Sequence, residues 1–520
     1  MNVADAGLRR GSGWLDDADE GEPPSSPRTG ALGRILSDQR IGLATALTLA
    51  AAFAVISAWW TPRGPVTTAQ ALVSMGAALL VGVAIGLAMG NRWSLLLGPA
   101  VFVVVFELAR VGIDGPTVDA IDLSSLYGVL AFVLGRVVHG LLVLAPMMLG
   151  SAYGWWLAGR LGRAASDRGA ASWALIGLLT VTLAVSAFFI ARPATTAPIL
   201  DADGEVLAGS VAELTTVTIG GHDQVMMIRG RSIDNPVLLY LTGGPGGTDL
   251  GAMRADVGLE QSFVVVTWDQ RGAGKSYPAI DPTETLTLDQ MVSDTIEVTD
   301  HLRERFGEDR IYLVGQSWGS TLGALAAQQR PDLYHAFVGV GQMVSQRVTD
   351  VMFWEDALSW AERIGEEGLA ESLRANGPPP YDNLNHYAPV VSYEHDWNSY
   401  PEFDPANEMP AILFVPEYTM MDRLNAFRGF LDTNGTLYPQ LQGLDFRTDI
   451  AELDVPYYMV LGEHEARGRA VLAEEWYEML DAPSKQRVIF DGGGHRAHFD
   501  RPALFAGLMD QVLFDTADQG

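Results

Sequence analysis

The chain has 520 residues, of which 19% are charged, with a formal net charge of −29 and no cysteine. This length exceeds one ordinary hydrophobic core and predicts two or more domains. The missing cysteines exclude disulfides, thiolate zinc sites and a thiol nucleophile, and the acidic balance argues against nucleic acid or an anionic surface as partner.

Residues 1–40 are rich in Gly, Pro, Ser, Asp and Arg and predict a disordered tail. From 41 to 191 the pattern is that of a membrane region. Five stretches, 41–60, 71–89, 94–111, 140–159 and 173–190, are nearly free of charge and about long enough to cross a hydrocarbon layer. A lipid bilayer is the expected partner of this region. The fourth apolar run starts near Leu126 and is interrupted by Arg136 and His139, which predicts a short interfacial or re-entrant helix ahead of the span. Glu107, Arg136 and His139 lie near span ends, where snorkelling to the interface accounts for them and a polar pathway is the alternative. The first apolar run begins too late for a cleavable signal peptide.

Arginine placement sets the expected sidedness. Arg9, Arg10, Arg28, Arg34 and Arg40 precede the first span, Arg92 lies between the second and third, and Arg160, Arg163 and Arg168 lie between the fourth and fifth. With five spans all fall on one side, which should be the cytoplasm of a cell-membrane protein. Residues 200–520 then face outward. They hold 21 basic and 51 acidic side chains, so this half alone carries the net charge.

The outer half alternates short β-rich runs, beginning at Pro236, Phe263, Arg310, Ala336, Pro456 and Arg487, with segments in which apolar residues recur every three or four. That alternation predicts a mostly parallel sheet with helices on both faces. One long interruption, 345–449, is rich in Trp, Tyr, Pro and acidic residues and predicts a helical cap between core parts 200–344 and 450–520.

The chemistry-bearing motifs follow in chain order. "LTGGPGG", 241–247, directly follows a strand, and its glycines let backbone N–H groups approach a developing negative charge. The expected oxyanion donors are the amides of Gly244, with Gly243 as the fallback, and Trp318. "GAGKS" within 268–276 lacks the spacing of a phosphate loop, so Asp269 and Arg271 are expected to be structural. Ser317 sits between Gly315 and Gly319 after an apolar strand and before an Ala-rich helix, the strand, turn and helix context of an exposed nucleophile. A neutral hydroxyl needs a base and an orienting acid. His495, after a β-run and a glycine turn, is the expected base, with His498 as rival inside a helix start. Glu465 and Glu463 both follow the strand of "YYMVLGEHEARG" and both remain candidates for the acid, Glu465 favoured by spacing.

Together "TGGPGG", "WDQRGAGKS", "GQSWGS" and "GGGH" resemble the prolyl iminopeptidase branch of the α/β-hydrolases, peptidase family S33, over most of residues 210–515. The resemblance implies the α/β-hydrolase fold with a helical cap, a Ser317, Glu465, His495 triad in that chain order, a peptide or other small-molecule substrate, no metal and no organic cofactor. It further implies cap carboxylates that bind the substrate's free amine, for which Glu355, Glu394, Glu408 and Glu417 are candidates. Thr242, Gln316 and Glu465 depart from the family pattern, which usually has histidine, glycine or histidine, and aspartate there. The implied activity is removal of N-terminal residues from small peptides. A carboxylesterase of small or lipid-derived esters uses the same parts, and a catalytically silent binding or sensing module is the alternative of another class.

Overall fold

The computed structural model describes residues 38–162, 169–403 and 413–517. The tail through residue 37, Arg163, Arg168 and Glu408 lie outside the described residues.

The N-terminal region is all helix. Helix α1 (Gln39–Trp60) is capped by Asp38, whose carboxylate accepts from the Arg40 amide. Helix α2 (Thr68–Met89) opens on a Thr67/Gln70 capping box and closes on left-handed Gly90. Then come α3 (Ser94–Ala109), α4 (Leu126–Phe132), a π-helical segment (Val133–Val137), α5 (Val138–Arg160) and α6 (Ala170–Ile190). Helices α2 and α5 meet through two small-residue pairs four apart, Gly82 with Gly86 and Gly150 with Gly154. A Cβ on Gly82 would come 2.1 Å from the Met147 carbonyl oxygen, and one on Gly150 would come 2.0 Å from that of Leu79. Larger residues would hold the two backbones apart.

Among the described residues four helices are long and apolar enough to cross a membrane: Gln39–Trp60, Thr68–Met89, Leu126–Arg160 and Ala170–Ile190. Two expectations change here. The third stretch, 94–111, forms a helix of only 16 residues containing Pro99. The break expected between Leu126 and residue 140 is absent, since α4, the π segment and α5 run on as one helix of 35 residues. Arg136 does not interrupt it because its guanidinium reaches the backbone carbonyls of Val118 (3.1 Å) and Asp119 (2.8 Å). His139 is buried against the rings of Phe102 and Phe106.

The second half is built on one eight-stranded sheet in the order β1-β2-β4-β3-β5-β6-β7-β8. Strands β1 (Val211–Ile219) and β2 (His222–Gly230) form an antiparallel hairpin at one edge, and β2 is antiparallel to β4. The remaining neighbours are parallel. These are β3 (Val237–Leu241), β4 (Val264–Asp269), β5 (Ile311–Gln316), β6 (Tyr334–Val340), β7 (Tyr457–Gly462) and β8 (Lys485–Phe490). All six correspond to the expected runs.

Alternate side chains of each central strand enter different cores. Leu239, Leu241 and Leu313 pack with α7 (Leu288–Phe306), α8 (Trp318–Gln329) and α12 (Arg467–Met479). Leu238, Tyr240 and Val314 pack with α13 (Pro502–Thr516) on the other face. Burial on both faces is why these strands read as unbroken apolar runs.

Between β6 and β7 the chain inserts helices, among them α9 (Gln346–Ile364), α10 (Leu384–Val391) and α11 (Met420–Leu441). Helix α11 joins this insertion to the N-terminal region. Asn425 donates to the Val66 carbonyl (2.6 Å), and buried Arg428 donates to the carbonyls of Pro65 (2.8 Å) and Leu134 (3.0 Å). Asp432 accepts from the Thr117 amide (2.8 Å), the Thr117 and Tyr277 hydroxyls, and Arg63 (3.3 Å). Burial works against the Arg63 charge, but Tyr277, Asp432 and Asp281 outweigh it and raise its pKa.

Candidate active site

Strand β5 delivers Ser317 to a turn closed by backbone on every side. A Cβ at Gly315 would come 2.2 Å from the Gly319 carbonyl oxygen, and one at Gly319 would come 2.0 Å from that of Leu241 in β3. The turn therefore requires both glycines. Ser317 itself has φ 53°, the one positive φ outside glycine among the described residues. The surrounding contacts hold it there. Its amide donates to the Val340 carbonyl (2.9 Å), its carbonyl accepts from the Ser320 hydroxyl (2.6 Å), and that hydroxyl accepts from the Met343 amide (3.0 Å). Strain of this kind, roughly 1–3 kcal/mol, persists where neighbours over-determine the turn.

His495 follows β8 and the glycine turn. Its Nδ1 lies 2.9 Å from Glu465 Oε2, and the cavity that His495 lines is also lined by Ser317. Glu465 is buried at the end of β7, where its Oε1 accepts from the Ala466 amide (3.0 Å) and from Arg469 Nε (2.6 Å). Burial favours the neutral acid, but Arg469 and His495 overcome it and hold the carboxyl down at about 2. Glu463 points elsewhere, accepting from the Gly492 amide (3.0 Å) at an exposed position. His498 is buried among aromatic rings with Nε2 at 2.8 Å from the Tyr240 hydroxyl, and burial pushes its pKa well down.

The glycine loop after β3 lies against the elbow, where a Cβ on Gly243 would come 3.3 Å from that of Ser317. Gly243 and Gly244 both line the cavity. A side-chain chain ties this loop to the residue after Ser317: Trp318 Nε1 donates to Gln270 (2.9 Å), which donates to the Thr242 carbonyl (3.1 Å). Gln316 donates to the His495 carbonyl (3.3 Å), so the departure from the family pattern at 316 fastens the histidine loop to the elbow. The "GAGKS" turn is structural in its contacts. Buried Asp269 accepts from the Lys275 amide (2.8 Å), and Arg271 forms a buried pair with Asp294 (2.7 and 3.0 Å).

The sequence model of the alpha/beta hydrolase fold matches residues 236–502. The chain belongs to the α/β-hydrolase fold family. It is similar to the probable aminopeptidase YbaC of Bacillus subtilis, with 30% identity over 306 residues covering 58% of this chain and 96% of that protein. It is also similar to the proline iminopeptidase of Lactobacillus delbrueckii subsp. lactis, at 24% identity over 306 residues covering 56% of this chain and 95% of that one. Among solved structures, a proline iminopeptidase-related protein of Thermus thermophilus is 23% identical, with 58% of this chain and 97% of that chain covered and a TM-score of 0.42.

The cap carboxylates of this α/β-hydrolase fall in different places. Glu394 lines the cavity but is bonded to Arg469, which links it to Glu465. Glu355 is exposed and paired with Arg467 (3.1 Å), while Glu417 is buried and paired with Arg254 (3.0 Å), and neither lines the cavity. Asp350 of α9 does line it and was missed in the sequence, where it sits inside an unremarkable helical run. Asp350 accepts from Tyr438 (2.7 Å), Gln346 (2.8 Å) and Gln442 (3.2 Å), but burial prevails over these bonds and raises its pKa to about 6. Among the described residues no group of three or more His, Cys, Asp or Glu is arranged to hold a metal ion.

Proposed function

We propose that the chain is a membrane-anchored serine hydrolase that removes N-terminal residues from small peptides through an acyl-enzyme. The observation that carries this reading is the contact of His495 with a buried, charged Glu465 inside the cavity that Ser317 lines. His495 takes the Ser317 proton as the hydroxyl oxygen attacks the scissile carbonyl, and the ionised Glu465 stabilises the imidazolium. The amides of Gly244 and Trp318 receive the oxyanion. His495 returns the proton to the departing amine, and water, deprotonated by His495, then releases the acyl group and restores Ser317.

The substrate's free amine is read by Asp350, and Glu394 is committed to Arg469. Asp350 is protonated below about pH 6 and charged above it, so attraction for an ammonium group strengthens as pH rises. KM for proline p-nitroanilide should fall as pH rises through 6, and Asp350→Asn should raise KM at pH 7.5 by about tenfold or more and erase that part of the pH profile. An unchanged profile in the variant removes Asp350 from amine recognition.

Arg469 acts on the reaction through Glu465. Loss of its cation in Arg469→Met destabilises the carboxylate, so Glu465 should protonate at higher pH. The acid limb of kcat should move upward and kcat at pH 7 should fall about tenfold. A lower kcat with an unmoved acid limb would leave Arg469 with a packing role only.

The helical region is the anchor. Although α3 has only 16 residues it also runs between the two ends, so loops 61–67 and 110–125 both meet α11 and its surroundings, through Arg63 and Thr117, while Arg40, Arg92 and Arg160 lie at the opposite helix ends. The positive-inside tendency then puts those arginines in the cytoplasm and the hydrolase outside it. Protease access in sealed vesicles of known orientation tests this.

The ester-hydrolase reading is favoured by one observation, the apolar character of much of the cavity wall, including Phe353, Leu384, Val390 and Phe427. Turnover of proline p-nitroanilide against p-nitrophenyl acetate separates the two: ester-only activity selects the esterase.

A further inference from the structure

The cavity beside Ser317, about 540 Å³, is not built by the hydrolase half alone. Tyr127 and Leu130 of α4 form part of its wall, together with Gln316, Ser317 and His495. They continue an apolar surface from the cap made by Phe427, Phe430 and Leu431, and the rings of Tyr127 and Phe430 meet edge to face at 5.8 Å.

This placement is fixed by directional bonds on both sides of the wall. Ahead of α4, Ser125 donates to Asn385 of α10 (2.7 Å) and Asn385 donates to Asp122 (2.8 Å). Beyond it, Arg428 of α11 donates to the Leu134 carbonyl within the π segment (3.0 Å). Two glycines let other backbone come close here. A Cβ on Gly128 would lie 2.0 Å from the Asp122 carbonyl oxygen, and one on Gly135 would lie 1.9 Å from that of Thr117.

The length of the helix says where this wall sits. At ~1.5 Å per residue, the 35 residues of Leu126–Arg160 extend roughly 50 Å, against a hydrocarbon layer of ~30 Å. Standing along the membrane normal, the helix would leave about 20 Å outside the layer, and the end bonded to the cap is the end that carries Tyr127 and Leu130.

We propose that the cavity takes an amphiphile with one aliphatic chain, its scissile carbonyl at Ser317 and its chain against Leu130, Phe427 and Phe430, so that the N-terminal helices supply part of the substrate site. The proposal rests on the reading of Ser317 as nucleophile and narrows its substrate class. Each methylene moved from water to that wall favours binding of the reacting complex by about fourfold until the space is filled.

The test uses the full chain in phosphatidylcholine nanodiscs with two substrate series, prolyl n-alkylamides and p-nitrophenyl alkanoates, each with chains of four, eight and twelve carbons. In whichever series turns over, kcat/KM should rise at least tenfold from four to eight carbons. Leu130→Phe should move the optimum to shorter chains, and Leu130→Asn should reduce the rise to under threefold, with thermal unfolding reporting that each variant folds. A flat chain-length profile, or a rise that neither variant alters, overturns the proposal and leaves the hydrolase reading standing. Absence of turnover in both series together with absence of fluorophosphonate labelling overturns the reading of Ser317, and the proposal with it.

Discussion

Ser317→Ala is expected to lower kcat/KM by roughly 10⁴-fold or more and to abolish fluorophosphonate labelling, while leaving the protein folded. The expected loss follows from removing the oxygen proposed to attack, for which the elbow offers no substitute. Ser320, three residues on, has its hydroxyl engaged with the Ser317 carbonyl and the Met343 amide. The fold should survive because the Ser317 side chain is not what closes the turn, which depends on its backbone and on Gly315 and Gly319. Ser317→Gly sharpens the test. It removes the same oxygen and also relieves a positive φ that alanine and serine both resist, so it should unfold at a higher temperature than Ser317→Ala, by about 1 kcal/mol of stability. Substantial turnover in either variant, measured on protein free of other hydrolases, would refute the assignment of the nucleophile.

The hydrolase half was legible where one local cause decided the outcome. Strands buried on both faces must be apolar throughout, and β3 to β7 announced themselves in that way, while β8, exposed along one face, showed only in its apolar second half. The elbow could be read because backbone approach within about 2 Å forbids any side chain at Gly315 and Gly319. The β1–β2 hairpin was overlooked although its signal was present, since "GG" at 220–221 stands between two runs rich in β-branched and apolar residues. The choice between Glu463 and Glu465 rested on spacing alone, and it is the structure that puts Glu465 Oε2 at 2.9 Å from the imidazole and Glu463 on an exposed loop.

What the sequence hid depended on contacts between distant segments. Arg136 looked like a break in a span because its partners, the Val118 and Asp119 carbonyls, belong to a loop with no pattern of its own. Asp350 looked like one acidic residue among many in an acidic protein. Its importance comes from burial beside Tyr438 and Gln442, far along the chain. The share of α4 in the cavity wall has the same origin. Tyr127 and Leu130 read as part of a short interfacial or re-entrant helix until Phe427 and Phe430 are packed against them.

Asp432→Ala is expected to lower stability by about 3–5 kcal/mol, the largest loss anticipated for one substitution. The carboxylate is buried and accepts from four donors, the Thr117 amide and hydroxyl, the Tyr277 hydroxyl and Arg63. Its removal leaves buried Arg63 with Asp281 as its one remaining carboxylate partner, and leaves the Tyr277 hydroxyl and Thr117 amide without their acceptor. Because Arg63 and Thr117 belong to the loops that join the helical region to the cap, the loss should appear as cleavage of loops 61–67 and 110–125 by protease before the hydrolase core unfolds. A double variant, Arg63→Met with Asp432→Leu, removes the buried cation together with the anion and should recover part of the loss, since apolar replacement of a buried pair avoids an unpaired charge. The same double variant separates anchoring from catalysis. The residues around Ser317 are untouched, so fluorophosphonate labelling should persist even where the seam has loosened. A cost below about 1 kcal/mol for Asp432→Ala, or no recovery in the double variant, would mean that the apolar contacts of α11 with the helices hold the two halves together without this cluster.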